Sequence, residues 1–288
     1  MNNAKIVLLV VAVALIASYV GVKIFSPAST SQKQDVLTKV LNKGEIRAAY
    51  LIYPPYFMKD SNTGKFSGIY YEITELIGKE MGLKVVWTEQ VGYADVFAGL
   101  DSGRFDIFGV GLWPDATRAK AGYFCNPAFY SAITAWARTD DHRFDNDLEA
   151  INSPKVRIAV QDGAMEDIIA KGDFPSAERV SIPQTSAWTQ NLLNITSNKA
   201  DVTFSGSPVI HDYLKTNPGT LREITPNRPL RTFGNSIIVK KGEDTLKQAI
   251  DAAINQALYS GQIDKILKKY ETVQGEFLRP ALPYAEPK

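Results

Sequence analysis

The run Leu100-Asp101-Ser102-Gly103-Arg104-Phe105-Asp106-Ile107 returns in altered form as Ile195-Thr196-Ser197-Asn198-Lys199-Ala200-Asp201-Val202. In both copies an apolar residue closes a helix pattern and a residue tolerant of left-handed backbone, Gly103 or Asn198, follows. A basic residue comes next, and an Asp leads into an apolar strand. A chain that uses one helix-to-strand corner twice is expected to consist of two similar, pseudo-symmetric lobes. The surroundings agree with this. Helix patterns over 36–42, over 73–81 with Gly82 closing it, and over 93–100 alternate with strand patterns over 46–51, 85–87 and 105–110. A second series starts with a strand over 156–160 and a glycine turn at Gly163. It continues with a helix over 185–195, a strand over 202–204 and a helix after Pro208. Such alternation predicts an α/β architecture with mostly parallel pairing. A returning strand over 237–239 precedes two amphipathic helices, 243–258 and 262–270, separated by Ser260-Gly261. The proline-rich end, LRPALPYAEPK, is expected to fray.

Composition removes several classes of function. The formal net charge is +1 and no Lys/Arg block stands out, so no field attracts nucleic acid. The single cysteine cannot form an intrachain disulfide, and His142 and His211 lack zinc spacing. That scarcity also argues against Ser-His-Asp or Cys-His nucleophiles and leaves carboxylate chemistry open. No cofactor and no metal are expected.

Ile6 to Val22 is an unbroken apolar run flanked by Lys5 and Lys23 and followed by a polar linker. It reads as a targeting segment, a signal peptide or a membrane anchor. Its length lies between a signal-peptide core and a full span, so cleavage and retention both stay open. The expected location of the remainder is the periplasmic or extracellular side of the cytoplasmic membrane.

Gly111 to Tyr130, GLWPDATRAKAGYFCNPAFY, follows the strand over 105–110 and carries Pro114 and Asp115, the pattern of a strand feeding a helix N-terminus. Strand ends and helix N-termini in α/β proteins present unpaired N–H groups to a crevice, and Arg118 adds a planar donor fork suited to a carboxylate. The order strand, Gly111, Arg118, Lys120, Phe124, Pro127, Tyr130 resembles the family 3 extracytoplasmic solute-binding proteins, from about Leu41 to Tyr270. FCNPAFY stands where the family has FSxPY, with Cys125 replacing the serine and one residue added. Tyr53-Pro54-Pro55-Tyr56 is similar to the family's PPF loop, and Glu72 stands where the family has Asp.

The resemblance implies a two-lobed, type 2 periplasmic-binding-protein-like fold. The chain would cross its hinge twice, near 137–142 and 227–234. Lobe 1 would hold 36–137 and 233–280, and lobe 2 would hold 138–232. It implies that Arg118 holds a carboxylate, with Gly111, Trp113, Asp115, Gly163, Ala164 and Gly206 around the ligand and Tyr53 and Tyr93 stacking on it. The family's usual ammonium-binding Asp corresponds to Gly206, its second-lobe hydroxyl to Ala164, and its ligand-facing threonine to Trp113. These departures predict a small carboxylate with a flat or apolar body in preference to a polar α-amino acid. Alternatively, Glu72 or Asp115 supplies the ammonium contact.

The function expected is a non-enzymatic, monomeric receptor for a small organic solute that serves an ABC-type membrane permease. Two rivals share the scaffold. One is a dehydratase-type enzyme using Asp115, Glu72 or Glu166 as general acid. The other is a sensory ectodomain working through a membrane partner.

Overall fold

The computed structural model describes residues 35–145, 147–226 and 228–281. The apolar run Ile6 to Val22 lies outside them, and no described helix is long and apolar enough to cross a membrane. Helix α1 (Val36–Lys43) leads into strand β1 (Glu45–Tyr50), a two-stranded hairpin of β2 (Met58–Lys59) and β3 (Phe66–Ser67), and α2 (Ile69–Glu80). Then come β4 (Lys84–Gln90), α3 (Asp95–Ser102), β5 (Ile107–Leu112), β6 (Gly122–Phe124) and the long β7 (Phe129–Arg138). The next series is β8 (Arg157–Gln161), α4 (Met165–Asp173), β9 (Glu178–Ile182), α5 (Gln190–Thr196), β10 (Val202–Gly206) and α6 (Ser207–Leu214). The short β11 (Leu221–Glu223), the long β12 (Arg231–Lys240), α7 (Asp244–Tyr259) and α8 (Gln262–Tyr270) complete it.

The strands lie in the order β4-β1-β5-β12-β7-β10-β8-β9, with β6 added to β12 and β11 to β7. The triplet β4-β1-β5 is parallel and so is β10-β8-β9, while every pairing through β12 and β7 is antiparallel. Along this order each long strand divides its length between two neighbours, besides the short strand added to it. Arg231 to Asn235 of β12 pair with β7, whereas Ser236 to Val239 pair with β5. Phe129 to Ile133 of β7 pair with β12, whereas Ile133 to Ala137 pair with β10.

The sequence echo is a structural one. Gly103 and Asn198 both have positive φ, 71° and 60°. Each following Asp is clamped by an arginine of the neighbouring parallel strand. Arg47 donates to Asp106 from its backbone N at 2.9 Å, from Nε at 3.1 Å and from Nη2 at 2.7 Å. Arg157 donates to Asp201 from N at 2.9 Å, Nε at 3.0 Å and Nη2 at 3.1 Å. The backbone closes both rings: Asp106 N donates to Arg47 O and Asp201 N to Arg157 O. The polar run after β7 joins the second clamp, because Arg138 and Arg143 also reach Asp201.

Apolar faces cover the sheet. Ile69, Ile73 and Ile77 of α2 are buried at the spacing of one helix face, and Leu246, Ile250 and Ile254 of α7 repeat that spacing. Each such side chain contributes about 1.5–3 kcal/mol through burial. A second apolar cluster gathers Ile133, Phe144, Ile158, Ile169, Val202 and Phe204.

Four expectations are corrected. Pairing is not mostly parallel, because β12 and β7 run antiparallel to every neighbour and β2 to β3. The segment after β5 makes only a 3₁₀ turn, Arg118–Lys120. Asp115 Oδ1 accepts from the N–H groups of Thr117 and Arg118, and the chain then leaves to pair β6 with β12. The helix expected over 185–195 begins at Gln190, because the Gln161 amide takes the carbonyls of Pro183, Gln184 and Ser186. Of the end expected to fray, Leu278 exchanges backbone hydrogen bonds with Tyr130 and Arg279 pairs with Asp264 and Glu271, while 282–288 lie outside the described residues.

Asp201→Asn should destabilise the fold by about 2–4 kcal/mol in urea titrations at pH 7, and Asp106→Asn by less, since Asp201 serves three arginines. Burial pushes the Asp201 carboxyl up, but the hydrogen bonds from Arg157 and Arg143 outweigh it and hold the pKa below 3.8. Its contribution should therefore persist above pH 3.8 and fade only as pH falls below that value.

Candidate functional site

The C-terminal ends of β1 and β5 and the first turn of α4 converge on a tight cavity of about 40 Å³. Its wall includes Leu51 and Tyr53 after β1, Tyr93 after β4, and Gly111, Leu112, Trp113 and Arg118 at and after β5. Tyr56, Met165, Glu166 and Asn235 complete that wall. Crevices outside the carboxyl ends of parallel strands are where α/β folds place ligands. Gly111 is required by close packing: a Cβ there would lie 2.2 Å from the Tyr70 ring.

Arg118 bridges two distant parts of the chain. Its Nη2 donates to Gly163 O at 2.7 Å and its Nη1 to Trp113 O at 3.2 Å, while Nε faces Asp115 Oδ2 at 3.3 Å. Each terminal nitrogen keeps a second N–H, so the fork can still meet a carboxylate. The Tyr93 ring lies 5.9 Å from the guanidinium carbon. Burial lowers the Arg118 pKa from its ordinary value, with Asp115 acting against that.

Aromatic rings shape the remaining wall. Tyr53 and Tyr56 stack at 5.5 Å, and the Trp188 indole meets Tyr53 edge-on at 5.7 Å. One face of Trp113 is covered by Phe233 at 5.3 Å, and its Nε1 donates to Asn235 Oδ1 at 2.9 Å. Asn235 Nδ2 in turn donates to Ser131 Oγ at 2.9 Å, and Tyr56 Oη lies 3.1 Å from the same oxygen. This buried chain ties the cavity wall to β7 and β12. Burial raises the Tyr53 and Tyr93 hydroxyl pKa values, so both rings stay neutral donors.

The anionic group on this wall is Glu166, which is 5% exposed. Its Oε1 accepts from Trp188 Nε1 at 2.9 Å, Gln161 N at 3.2 Å and Asn191 Nδ2 at 3.5 Å. Burial pushes its pKa up to about 7, against the hydrogen bonds that favour the charged form.

Of the residues expected at a site, Tyr53, Tyr93, Gly111, Trp113 and Arg118 share the cavity wall. Asp115 and Gly163 join them through Arg118. Ala164 is buried next to Met165, and its N–H is taken by Gln161 O. Gly206 ends β10, where an added Cβ would lie 3.6 Å from Tyr56 Oη without a clash. Glu72 is corrected: it is bound by Tyr270 Oη and Lys269 Nζ and does not line the cavity. Asp115 is also turned away from the wall, spent on its own turn and on Arg118. The carboxylate that does line it, Glu166, was expected only as an enzyme's acid. Among the described residues no group of three His, Cys, Asp or Glu could hold a metal ion.

The model of bacterial extracellular solute-binding proteins, family 3, matches residues 46–273, and the chain belongs to that family. A probable amino-acid ABC transporter-binding protein of Haemophilus influenzae is 25% identical over 256 residues, covering 89% of this chain and 92% of that protein. The membrane-bound lytic murein transglycosylase F of Salmonella paratyphi B is 24% identical over 211 residues, 72% of this chain but 40% of the enzyme. This chain thus spans well under half of that relative. The crystal structure of an ancestral amino-acid-binding protein, a precursor of cyclohexadienyl dehydratase, superposes with a TM-score of 0.73 at 24% identity. That match covers 82% of this chain and 99% of the other and establishes the periplasmic-binding-protein-like fold.

In the ligand-free protein Glu166 should make stability fall as pH rises. Between 4.5 and about 7 the native carboxyl holds a proton that the unfolded one has lost. Urea titrations from pH 5 to 8 should show Glu166→Gln gaining on the natural chain by up to about 3 kcal/mol, and a constant difference would contradict the burial of this carboxyl.

Proposed function

We propose that this chain is a receptor for a small amino-acid-like carboxylate, and that it delivers this solute to an ABC-type membrane permease without transforming it. The observation that carries the reading is Arg118: a nearly buried guanidinium on a tight aromatic wall, joined to Gly163 across the cavity. The amino-acid transport name of the Haemophilus influenzae relative, matched over nearly its full length, supports it.

The mechanical part is closure of two lobes, 36–137 with 233–280 and 138–232. Support comes from the two parallel triplets flanking β12 and β7, the pair of strands that connects them. Small backbone rotations in two strands are the usual form of such a hinge. The receptor would work outside the cytoplasmic membrane, as its family does, released or tethered by the Ile6 to Val22 run.

A second reading has one observation behind it. A carboxyl with a pKa of about 7 on the wall of a tight cavity is what general acid catalysis requires, and Glu166 meets that description. Chromatographic assay of incubated prephenate or arogenate separates the readings, and turnover would favour the enzyme.

For the receptor, Arg118→Ala should weaken binding of the best carboxylate ligand on the order of 10- to 1000-fold by calorimetry, the equivalent of one or two charge-assisted bonds. Unchanged affinity would refute the role given to Arg118. Saturating ligand should also reduce the radius of gyration in solution scattering, and identical profiles would count against closure.

A further inference from the structure

His211 and Glu276 meet from parts of the chain 65 residues apart, Nδ1 to Oε1 at 2.5 Å. His211 stands on α6, which packs against β10, and the Trp136 ring of β7 meets its imidazole edge-on at 5.9 Å. Glu276 belongs to the segment after α8, a strap fixed to other parts of the chain at several points. Phe277 is fully buried beside Tyr56 and Phe129, Leu278 exchanges backbone hydrogen bonds with Tyr130, and Arg279 pairs with Asp264 of α8 and with Glu271. The strap also aims the carboxylate. Thr272 N donates to Glu276 Oε2 at 3.0 Å, which leaves Oε1 to the imidazole, and the Glu276 side chain is 2% exposed. A carboxylate so far removed from water is stabilised by a charged partner.

We propose that the His211–Glu276 pair is a proton-operated clasp, by which the strap of lobe 1 grips α6 of lobe 2 and favours the closed arrangement. This inference rests on the two-lobe reading and adds to it a control that no solute supplies. The place of α6 suits the task. Val209, Asp212 and Tyr213 of that helix share the wall of a second cavity, about 550 Å³, with Leu51 and Tyr53 after β1 and Val91 after β4. Holding His211 against the strap therefore holds α6 towards the segments that would form the opposite side of the cleft.

The clasp carries a sign. The hydrogen bond to Glu276 raises the His211 pKa above its ordinary 6.5, and burial acts against it. Glu223 of β11 adds to the rise, Lys215 of α6 opposes it and is itself paired with Asp212, and β7 presents the neutral Trp136 ring. A neutral imidazole keeps at most one uncharged hydrogen bond to the strap. The charged clasp is thus complete below pH 6.5 and is lost as pH rises through the higher value of the paired ring. Two other bonds between the same parts, Ala94 N to Gln184 Oε1 and Arg118 Nη2 to Gly163 O, contain no group that exchanges a proton near neutrality.

Spin labels at Lys79→Cys and Lys199→Cys, exposed positions in the two lobes, test this in the full chain without solute, since Cys125 is buried. Glu166→Gln serves as the background and removes the cavity carboxyl that titrates at about 7. From pH 6 to pH 9 the ratio of short to long label distances should fall about 3- to 10-fold, the range of a partly exposed charged pair. Adding Glu276→Gln or His211→Gln should abolish that fall. The chain has two histidines, so ring spectra of isotope-labelled histidine resolve His211 beside His142. The His211 pKa should lie above 6.5 and return towards it in Glu276→Gln. A His211 ring that titrates at or below 6.5 in the natural chain overturns the proposal with no variant needed. So does a fall in the ratio that survives both substitutions. Two distances whose ratio ignores pH remove the clasp and leave the two lobes standing. A single distance that neither pH nor substitution moves removes both.

Discussion

The antiparallel pair β7 and β12 is the connection on which the rest of the architecture depends. Each strand spends part of its length on its partner and part on one parallel triplet, so strand pairing continues from β4 to β9. The cavity lies beside that pair. Asn235 and Ser131, the polar side chains that hold Trp113 and Tyr56 in place, belong to β12 and β7 themselves. A change in the path of either strand is therefore transmitted directly to the cavity wall.

Around this connection the two triplets solve one problem twice. A helix must end, reverse and deliver a buried strand without leaving polar groups unsatisfied. Gly103 and Asn198 supply the left-handed residue, while the carboxylates of Asp106 and Asp201 accept hydrogen bonds from an arginine on the adjacent strand. The ion pairs in these corners are complete. In the cavity no ion pair joins Arg118, which is partly buried and pairs with Asp115, to Glu166, which is buried and held by neutral donors.

Much of this was legible before any coordinates. The repeated corner, the order of strands and helices, and the placing of Tyr53, Tyr93, Trp113 and Arg118 about a strand end follow from local pattern and from the family resemblance. What was misread has a common cause. The helix expected from Thr185 starts later because Gln161, distant in sequence, takes the carbonyls of Pro183, Gln184 and Ser186. Leu278, the first residue of the end expected to fray, is held by Tyr130, which is far away in sequence. Asp115 looked available to a ligand until its own turn consumed it.

The α/β alternation, the twofold use of one corner motif and the arginine that faces the cavity are each written in residues close together along the chain. Which carboxylate shares that cavity depends on contacts that folding makes between distant segments. Glu72 and Glu166 both stand in the first turns of helices, and nothing in their neighbouring residues separates them. One is carried to the far side of α2, against Lys269 and Tyr270. The other is turned inward, stripped of water and held by Trp188 and Asn191. Burial and the donors around a carboxyl set its charge, and both are properties of chain segments that meet only when the protein has folded.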